Sequence, residues 1–452
     1  MMEDTIAAIS TSQGKGAISI IRLSGPKAIQ ITSNIFKGKD LNTASTHTIH
    51  YGYIVSNDEI IDEVLVSVMR APKTYTTEDV VEINCHGSIN STNKILEIIL
   101  TQGARLAEKG EFTKRAFLNG RLDLAQAEAV MDLLESKNDK SRQLAISSLT
   151  GTTTNMIRKF RSTLNDIIAN ISVNIDYPEY YDIEELTIEM LNKNINILLK
   201  DLENIIKQSE SVVLVKEGIN TVIVGRPNVG KSSILNRLLK YDKAIVTDIA
   251  GTTRDIVEGQ IYLDKIPLNI IDTAGIRETE DKVEMLGVKK SRELITKADL
   301  ILMVLNNNEP LTKEDKDIML EIDPKKTIIV INKSDLTSKI NKSEISFQNI
   351  VKTTTTTEVG LEDLKHKIIE MYNLEEIESI DSNYLSNARQ ISLAKKTKTI
   401  LENIITSIEN NVPIDLIELD IRKAFDILGE IIGENYDEEI LDNLFSKFCV
   451  GK

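Results

Sequence analysis

The sequence predicts a multidomain fold: an α+β N-terminal domain, an all-α helical domain, and an α/β domain inserted into the helical one. Three observations carry this. The chain has 452 residues, more than one ordinary hydrophobic core supports. Strand and helix signals alternate in two separate stretches. Helical spacing then occupies the segments on both sides of the second stretch, as an insertion between the halves of one helical domain requires.

Taken in order, Ala17 to Gly25 is an apolar run closed by a glycine turn, and the runs beginning at Val64 and Val80 are further strands. Ser91 to Leu100 has helical spacing. These form an N-terminal domain over residues 1–118. From there Leu122, Ala125, Ala129, Leu133 and Leu134 recur at helical spacing. Leu186 to Ile206 is a long amphipathic stretch, with Pro178 breaking the run between. Helices return at Ile391 to Ile408, Ile414 to Leu428 and Glu438 to Phe448. The helical domain is thus read as 119–212 plus 380–452, and the inserted domain as 213–379. Four independent pieces in a row is the rival arrangement.

Composition excludes several classes. Charged residues make up 27% and hydrophobic residues 41%, which is globular rather than disordered. With 54 basic against 69 acidic residues the net charge is −15, so the chain as a whole is not a nucleic-acid-binding surface. No run approaches the roughly 18 apolar residues of a membrane span. The first residues lack the basic start of a signal peptide, which predicts a cytoplasmic protein. Cys85 and Cys449 make no disulfide framework, and His47 and His50 read as ordinary polar positions rather than a metal pair.

The inserted segment carries the chemistry. Gly225-Arg-Pro-Asn-Val-Gly-Lys-Ser-Ser follows the apolar run Thr221-Val-Ile-Val and precedes a helical pattern. A strand, a glycine-rich loop and a helix N-terminus direct backbone N–H groups at an anion. Lys231 adds charge on the β/γ-phosphates, and the Ser232 hydroxyl is placed to ligate Mg²⁺. Asp272-Thr-Ala-Gly follows Leu268-Asn-Ile-Ile, so Asp272 can hold Mg²⁺ through water and the Gly275 N–H can sense the γ-phosphate. Asn332-Lys-Ser-Asp follows Thr327-Ile-Ile-Val-Ile. There Asp335 can accept the N1–H and 2-amino donors of guanine, Asn332 braces the loop, and the Lys333 stem covers the base. Three such motifs in order, each after an apolar strand, specify an inserted α/β Ras-like P-loop GTPase domain. The nucleotide set comprises Asn228, Val229, Gly230, Lys231, Ser232 and Ser233; Thr247, Asp248, Ile249, Ala250, Gly251, Thr252 and Thr253; Asp272, Thr273, Ala274 and Gly275; and Asn332, Lys333 and Asp335.

One absence is informative. Ile276 stands where many GTPases place a glutamine that orients the attacking water. Isoleucine cannot do so, and Glu278, Glu280, Asp281 and Glu284 are the nearby carboxylates left to choose from.

At this point the residues match a family. The chain resembles the bacterial tRNA-modification GTPases of the MnmE (TrmE) family over essentially its whole length. The resemblance rests on Asp4-Thr-Ile-Ala-Ala, Ala116-Phe-Leu-Asn, Leu122-Asp-Leu-Ala-Gln-Ala-Glu-Ala, the GTPase motifs, Thr247 to Asp255, and the terminal Phe448-Cys-Val-Gly-Lys. It implies a homodimer whose N-terminal domain dimerises and binds 5-formyltetrahydrofolate or a related tetrahydrofolate. It also implies a heterotetramer with the FAD protein MnmG and, with tRNA as substrate, a wobble-uridine C5 modification of carboxymethylaminomethyl type. Residue by residue, it assigns Asn228, Thr247, Ile249 and Thr252 to K⁺, Ser232 and Thr253 to Mg²⁺, and water positioning to Glu284 as the catalytic residue. Arg22, Glu82, Arg121 and Lys452 fall at the folate site. A regulatory GTPase acting on ribosomes without RNA chemistry is the alternative function.

Three positions depart from the family pattern. Arg121 replaces a lysine, a change that keeps charge but alters geometry. Asn84-Cys85-His86-Gly87-Ser88 stands where Gly-His-Gly-Gly is expected, beside the folate ligand. The last guanine loop reads Thr354-Thr-Thr in place of Ser-Ala-x, which implies altered guanine binding. Cys449, next to the expected one-carbon donor, is either a nucleophile or a small residue packing the tail.

Overall fold

The structure, a computed structural model, describes residues 4–12, 14–136, 138–176, 181–241, 257–263, 266–271, 294–354, 360–372 and 383–452. The chain divides into two compact units, one comprising Met1–Glu135, Ala145–Leu198 and Lys396–Lys452, the other Ser136–Leu144 and Leu199–Lys395. Among the described residues no helix is long and apolar enough to cross a membrane.

The first unit opens with a seven-stranded sheet. Its strands are β1 (Ile6–Ile9), β2 (Ile18–Ser24), β3 (Phe36–Lys37), β4 (Thr48–Ser56), β5 (Glu59–Met69), β6 (Val80–His86) and β7 (Arg105–Leu106), in spatial order β3-β4-β5-β6-β2-β1-β7. All pairings are antiparallel except β1 with β7. Inward residues such as Val64, Val66, Val68, Val81, Ile83 and Cys85 pack beneath helices Ala28–Ile35 and Ile89–Thr101 in one apolar core. The opposite face alternates out to solvent. It leaves Ile18, Ile49, Tyr51 and Leu65 exposed.

The helices of this unit include Glu111–Leu118, Leu124–Glu135, Thr152–Asp176, Ile414–Ile432 and Glu438–Phe445. The segment Leu122-Asp-Leu-Ala-Gln reads structurally as a capping box. Gln126 N donates to Asp123 Oδ1 at 2.8 Å, and Asp123 N donates to Gln126 Oε1 at 3.0 Å. Helical spacing anticipated a helix through Leu122 and another reaching Phe448. The first begins only at Leu124, because Asp123 caps it, and the last ends at Phe445. Pro178 lies outside the described residues.

The second unit holds a six-stranded sheet of β8 (Ile219–Val224), β9 (Val257–Leu263), β10 (Ile266–Ile271), β11 (Leu300–Asn306), β12 (Thr327–Asn332) and β13 (Ile350–Lys352), in order β13-β12-β11-β8-β10-β9. Five strands run parallel, and β9 is an antiparallel edge. Every residue of β11 and β12 is buried, as expected for parallel strands covered on both faces. This topology brings the carboxyl ends of β8, β10, β11, β12 and β13 to one edge of the sheet, where open α/β folds bind ligands.

Candidate functional site

At the carboxyl end of β8 the chain turns through residues 225–230 into helix Lys231–Tyr241, whose first bond is Ile234 N to Gly230 O at 3.0 Å. Val229 is buried and anchors the loop from below, while Asn228 adopts a left-handed φ of 62°. Gly230 has φ of 105°, and a Cβ there would lie 2.1 Å from Asn332 Nδ2, so only glycine admits the approach of the two loops. Lys231 reaches back across the loop, donating from Nζ to Gly225 O at 2.6 Å and Arg226 O at 2.9 Å. Burial pushes its pKa down from the ordinary lysine range, with Glu314 pulling the other way.

Asn332, at the end of β12, is fully buried and donates from Nδ2 to Val229 O at 2.9 Å. The loop after β12 and the loop after β8 are therefore one hydrogen-bonded unit. Lys333 Nζ donates to Asn228 O at 3.4 Å. Asp335 is exposed, and its Oδ1 accepts the Thr354 hydroxyl at 2.7 Å. Ser334 N donates to Thr353 O at 3.0 Å, tying the last loop to the same edge. The structure thus brings Asn228 to Lys231 together with Asn332, Lys333 and Asp335, and sets Ser232 and Ser233 on the first turn of the helix. Thr247, Asp248, Ile249, Ala250, Gly251, Thr252, Thr253, Asp272, Thr273, Ala274, Gly275, Ile276 and Glu284 lie outside the described residues.

Arg226 is a member of this site that sequence reasoning missed. Its guanidinium pairs with Glu309, and its Nε lies 3.3 Å from Asp315 Oδ2, linking the phosphate loop to the segment after β11. The hydrogen bond from Arg226 holds the Glu309 carboxyl below the usual range. No spacing rule marks that pair, since its members are 83 residues apart.

A second constellation forms in the N-terminal sheet. Arg22 and Glu82 face each other in register on β2 and β6, with Nε to Oε1 at 2.8 Å. The Arg22 guanidinium lies 5.8 Å from the Tyr75 ring centroid and 5.7 Å from that of Phe112, and its Nη1 donates to Gly451 O at 3.5 Å. Arg121 stacks on the same Tyr75 ring at 4.8 Å. Tyr75 is held by a 2.9 Å bond between its hydroxyl and that of Thr113. Tyr75 and Phe112 carried no signal in the sequence. They are isolated members of an aromatic set that makes up only 4% of the chain, and no periodicity singles them out.

The C-terminal tail is built into this constellation. Phe445 and Phe448 pack with Phe117, Leu124 and Leu441. Lys109 and Val450 form an isolated bridge, Gly110 N donates to Cys449 O at 3.3 Å, and Phe112 N donates to Lys452 O at 3.1 Å. Gly451 has φ of 91°, and a Cβ would meet Ile9 O at 2.5 Å. Arg22, Glu82, Arg121 and the chain end at Lys452 are thus gathered around Tyr75. Cys449 is exposed. Cys85 points into the core, donating to Ser19 O at 3.4 Å, and burial pushes its thiol pKa up. It therefore lies on the face opposite Glu82, so this departure from the family pattern changes core packing rather than the Arg22–Glu82 surface.

Comparison with known proteins agrees with this architecture. Residues 5–121 match the family described as GTP-binding protein TrmE N-terminus, and residues 124–449 match the MnmE helical domain. The tRNA modification GTPase MnmE of Bacillus cytotoxicus is 49% identical over 455 residues, covering 99% of each chain. Those of Lactiplantibacillus plantarum and Bacillus subtilis are each 48% identical, covering 99% of this chain and 98% and 100% of theirs. The chain belongs to the tRNA modification GTPase MnmE family.

Proposed function

We propose that this GTP hydrolase acts, with the FAD protein MnmG, in C5 modification of the wobble uridine of tRNA, using a one-carbon unit carried on tetrahydrofolate. The observation that carries this reading is the junction of the C-terminal tail with Arg22, Glu82, Arg121 and Tyr75, a surface that a GTPase acting only as a switch does not need. The donor set fits a folate: Glu82, held by Arg22 at 2.8 Å, offers a carboxylate to the N–H edge of a pterin, and Arg121 and Lys452 offer cations to the glutamate carboxylates. Bound folate supplies the one-carbon unit; Cys449, exposed beside the terminal Gly-Lys, is a candidate for the one-carbon step. The proposed domains are 1–118, 119–212 plus 380–452, and 213–379.

For hydrolysis, the loop from Gly225 to Ser233 binds the phosphates through backbone N–H groups and Lys231, and Asp335 selects guanine. Ser232 and Thr253 are the proposed Mg²⁺ ligands. Asn228, Thr247, Ile249 and Thr252 are proposed to hold K⁺, which supplies positive charge beside the β/γ-phosphates where other GTPases use an arginine finger. The left-handed turn at Asn228 suits an amide oxygen offered from the rim of the loop. Glu284 positions the water in place of the missing glutamine. A homodimer through the N-terminal domain is supported by the apolar sheet face that exposes Ile18, Ile49, Tyr51 and Leu65.

The net charge of −15 favours a division of labour in which the partner provides most of the tRNA surface. Tight tRNA binding by this chain alone at physiological salt would overturn that division. The principal test is mass spectrometry of wobble uridines in tRNA from cells lacking the protein. Loss of the C5 substituent, restored by the wild-type gene and not by Arg22→Ala, is expected; unchanged tRNA refutes the reading. Separately, GTP hydrolysis falls strongly when Na⁺ replaces K⁺, and Asn228→Ala removes the difference. Equal rates in both salts refute the cation assignment.

A further inference from the structure

We infer that the N-terminal domain carries a subsite for the γ-linked oligoglutamate tail of the folate, in the cleft that runs on from Tyr75 and Arg121; the inference rests on the folate reading above. The cleft has a volume of about 490 Å³ and is lined by His47, Lys73, Tyr75, Thr77, Asn119 and Arg121, among others. That is within the roughly 300–1,000 Å³ typical of ligand clefts. Two members, Tyr75 and Arg121, also belong to the Arg22–Glu82 constellation, so the two regions are continuous.

Its charge is one-sided. No aspartate or glutamate is among the described residues that line it, although the chain as a whole has a net charge of −15. Lys73 is exposed and makes no hydrogen bond or ion pair among the described residues. Arg121 donates Nη1 to Tyr75 O at 3.3 Å and stacks on the ring, with no carboxylate partner among the described residues. Uncompensated cations in a concave site call for an anionic ligand. The walls are also firmly held. Asn119 Nδ2 donates to Thr76 O at 2.7 Å, and the Thr74 hydroxyl donates to Glu78 O at 2.7 Å. A flexible chain with one carboxylate per residue, entering from the Arg22 side, matches this charge and shape. A nucleic-acid backbone fits less well, because a basic stripe for RNA has to stand clear of the surface over several phosphates.

The measurement is calorimetric titration of the full-length protein with 5-formyltetrahydrofolate carrying one or four γ-linked glutamates, at two ionic strengths. At about 1.4- to 5-fold for a partly exposed charge pair, Lys73 gives the tetraglutamate an advantage of that size over the monoglutamate, whose own carboxylates already engage Arg121, and the advantage shrinks at higher salt. Lys73→Gln lowers that ratio, and Lys73→Glu lowers it further; the position is exposed, and thermal denaturation checks that both variants are folded. Equal affinity for the two forms overturns the subsite and leaves the folate reading intact. Failure of both forms to bind overturns the two together. Weaker tRNA binding by Lys73→Gln, with a tetraglutamate-to-monoglutamate ratio of one throughout, would assign the cleft to RNA and likewise overturn the inference.

Discussion

Asn332→Ala separates bracing of the nucleotide site from reading of the base. In the wild-type protein Asn332 is fully buried, and its Nδ2 donates to Val229 O at 2.9 Å, holding the phosphate loop against the end of β12. Alanine removes the donor and leaves the Val229 carbonyl without that partner next to a buried side chain. An unsatisfied buried acceptor costs about 1–3 kcal/mol. If that cost falls on the nucleotide-bound loop, GDP affinity drops about 5- to 150-fold. The assay is titration of a fluorescent GDP analogue, with competition by unlabelled GDP, XDP and ADP. The lost bond lies at the loop junction and not at the base, so affinity falls for every nucleotide while the order of preference stays that of the wild type. Asp335→Asn is the control with the opposite signature. Its amide NH₂ can donate to the 2-carbonyl of xanthine and cannot accept both guanine donors, so preference moves from GDP to XDP. Wild-type affinity in Asn332→Ala, or an altered base preference there, refutes the assignment of Asn332 as the brace.

Three further outcomes follow from particular contacts. Thr354→Val removes the hydroxyl that bonds Asp335 Oδ1 at 2.7 Å; at about 1.5 kcal/mol for a bond to an exposed carboxylate, GDP affinity falls about tenfold, and an unchanged value in the same titration contradicts that role. Iodoacetamide at neutral pH labels the exposed Cys449 and spares the buried Cys85 in the native protein, and peptide mass spectrometry showing both modified at similar rates would contradict the fold of β6. His86 Nδ1 lies 2.7 Å from Asp62 Oδ1, and that bond raises the His86 pKa. A raised folded-state value means the pair's stabilising contribution is fully present below the ordinary histidine pKa of about 6.5 and is lost as pH rises through the folded value. NMR titration should place the His86 midpoint above the ordinary value, with Asp62→Asn returning it there.

The described part of the candidate nucleotide site, Asn228 to Ser233 with Asn332, Lys333 and Asp335, could be picked out in the sequence because it is carried by short contiguous segments, each placed at the end of an apolar strand. The parallel sheet then brings β8, β11 and β12 to a common edge. The hydrogen bond from Asn332 to Val229 is therefore foreshadowed by two motifs 103 residues apart. Arg226 with Glu309 and Asp315 was not foreshadowed, because the segment after β11 has no motif of its own. Thr354 shows a second limit. As a departure from the Ser-Ala-x pattern it implied altered guanine binding, yet its hydroxyl orients the very carboxylate expected to read the base.

The tail-bearing surface is harder to read, for a physical reason. Arg22, Tyr75, Glu82, Phe112, Arg121 and Gly451 come from separate segments, and what unites them is the stacking of two guanidiniums on one ring. Cation–π contacts impose distance and face but no spacing along the chain. The family resemblance could name Arg22, Glu82, Arg121 and Lys452 and still leave out Tyr75, the ring on which Arg22 and Arg121 both stack. The tail adds a constraint that composition cannot express. Gly451 has to be glycine because its left-handed φ of 91° brings its α-carbon against the Ile9 carbonyl, where a Cβ would sit 2.5 Å away. That close approach is what allows Phe112 N to bond Lys452 O and Arg22 to bond Gly451 O. The terminal Gly-Lys thus acts as a latch: the glycine admits the tail to the sheet edge, and the lysine is delivered beside Arg22 as a consequence.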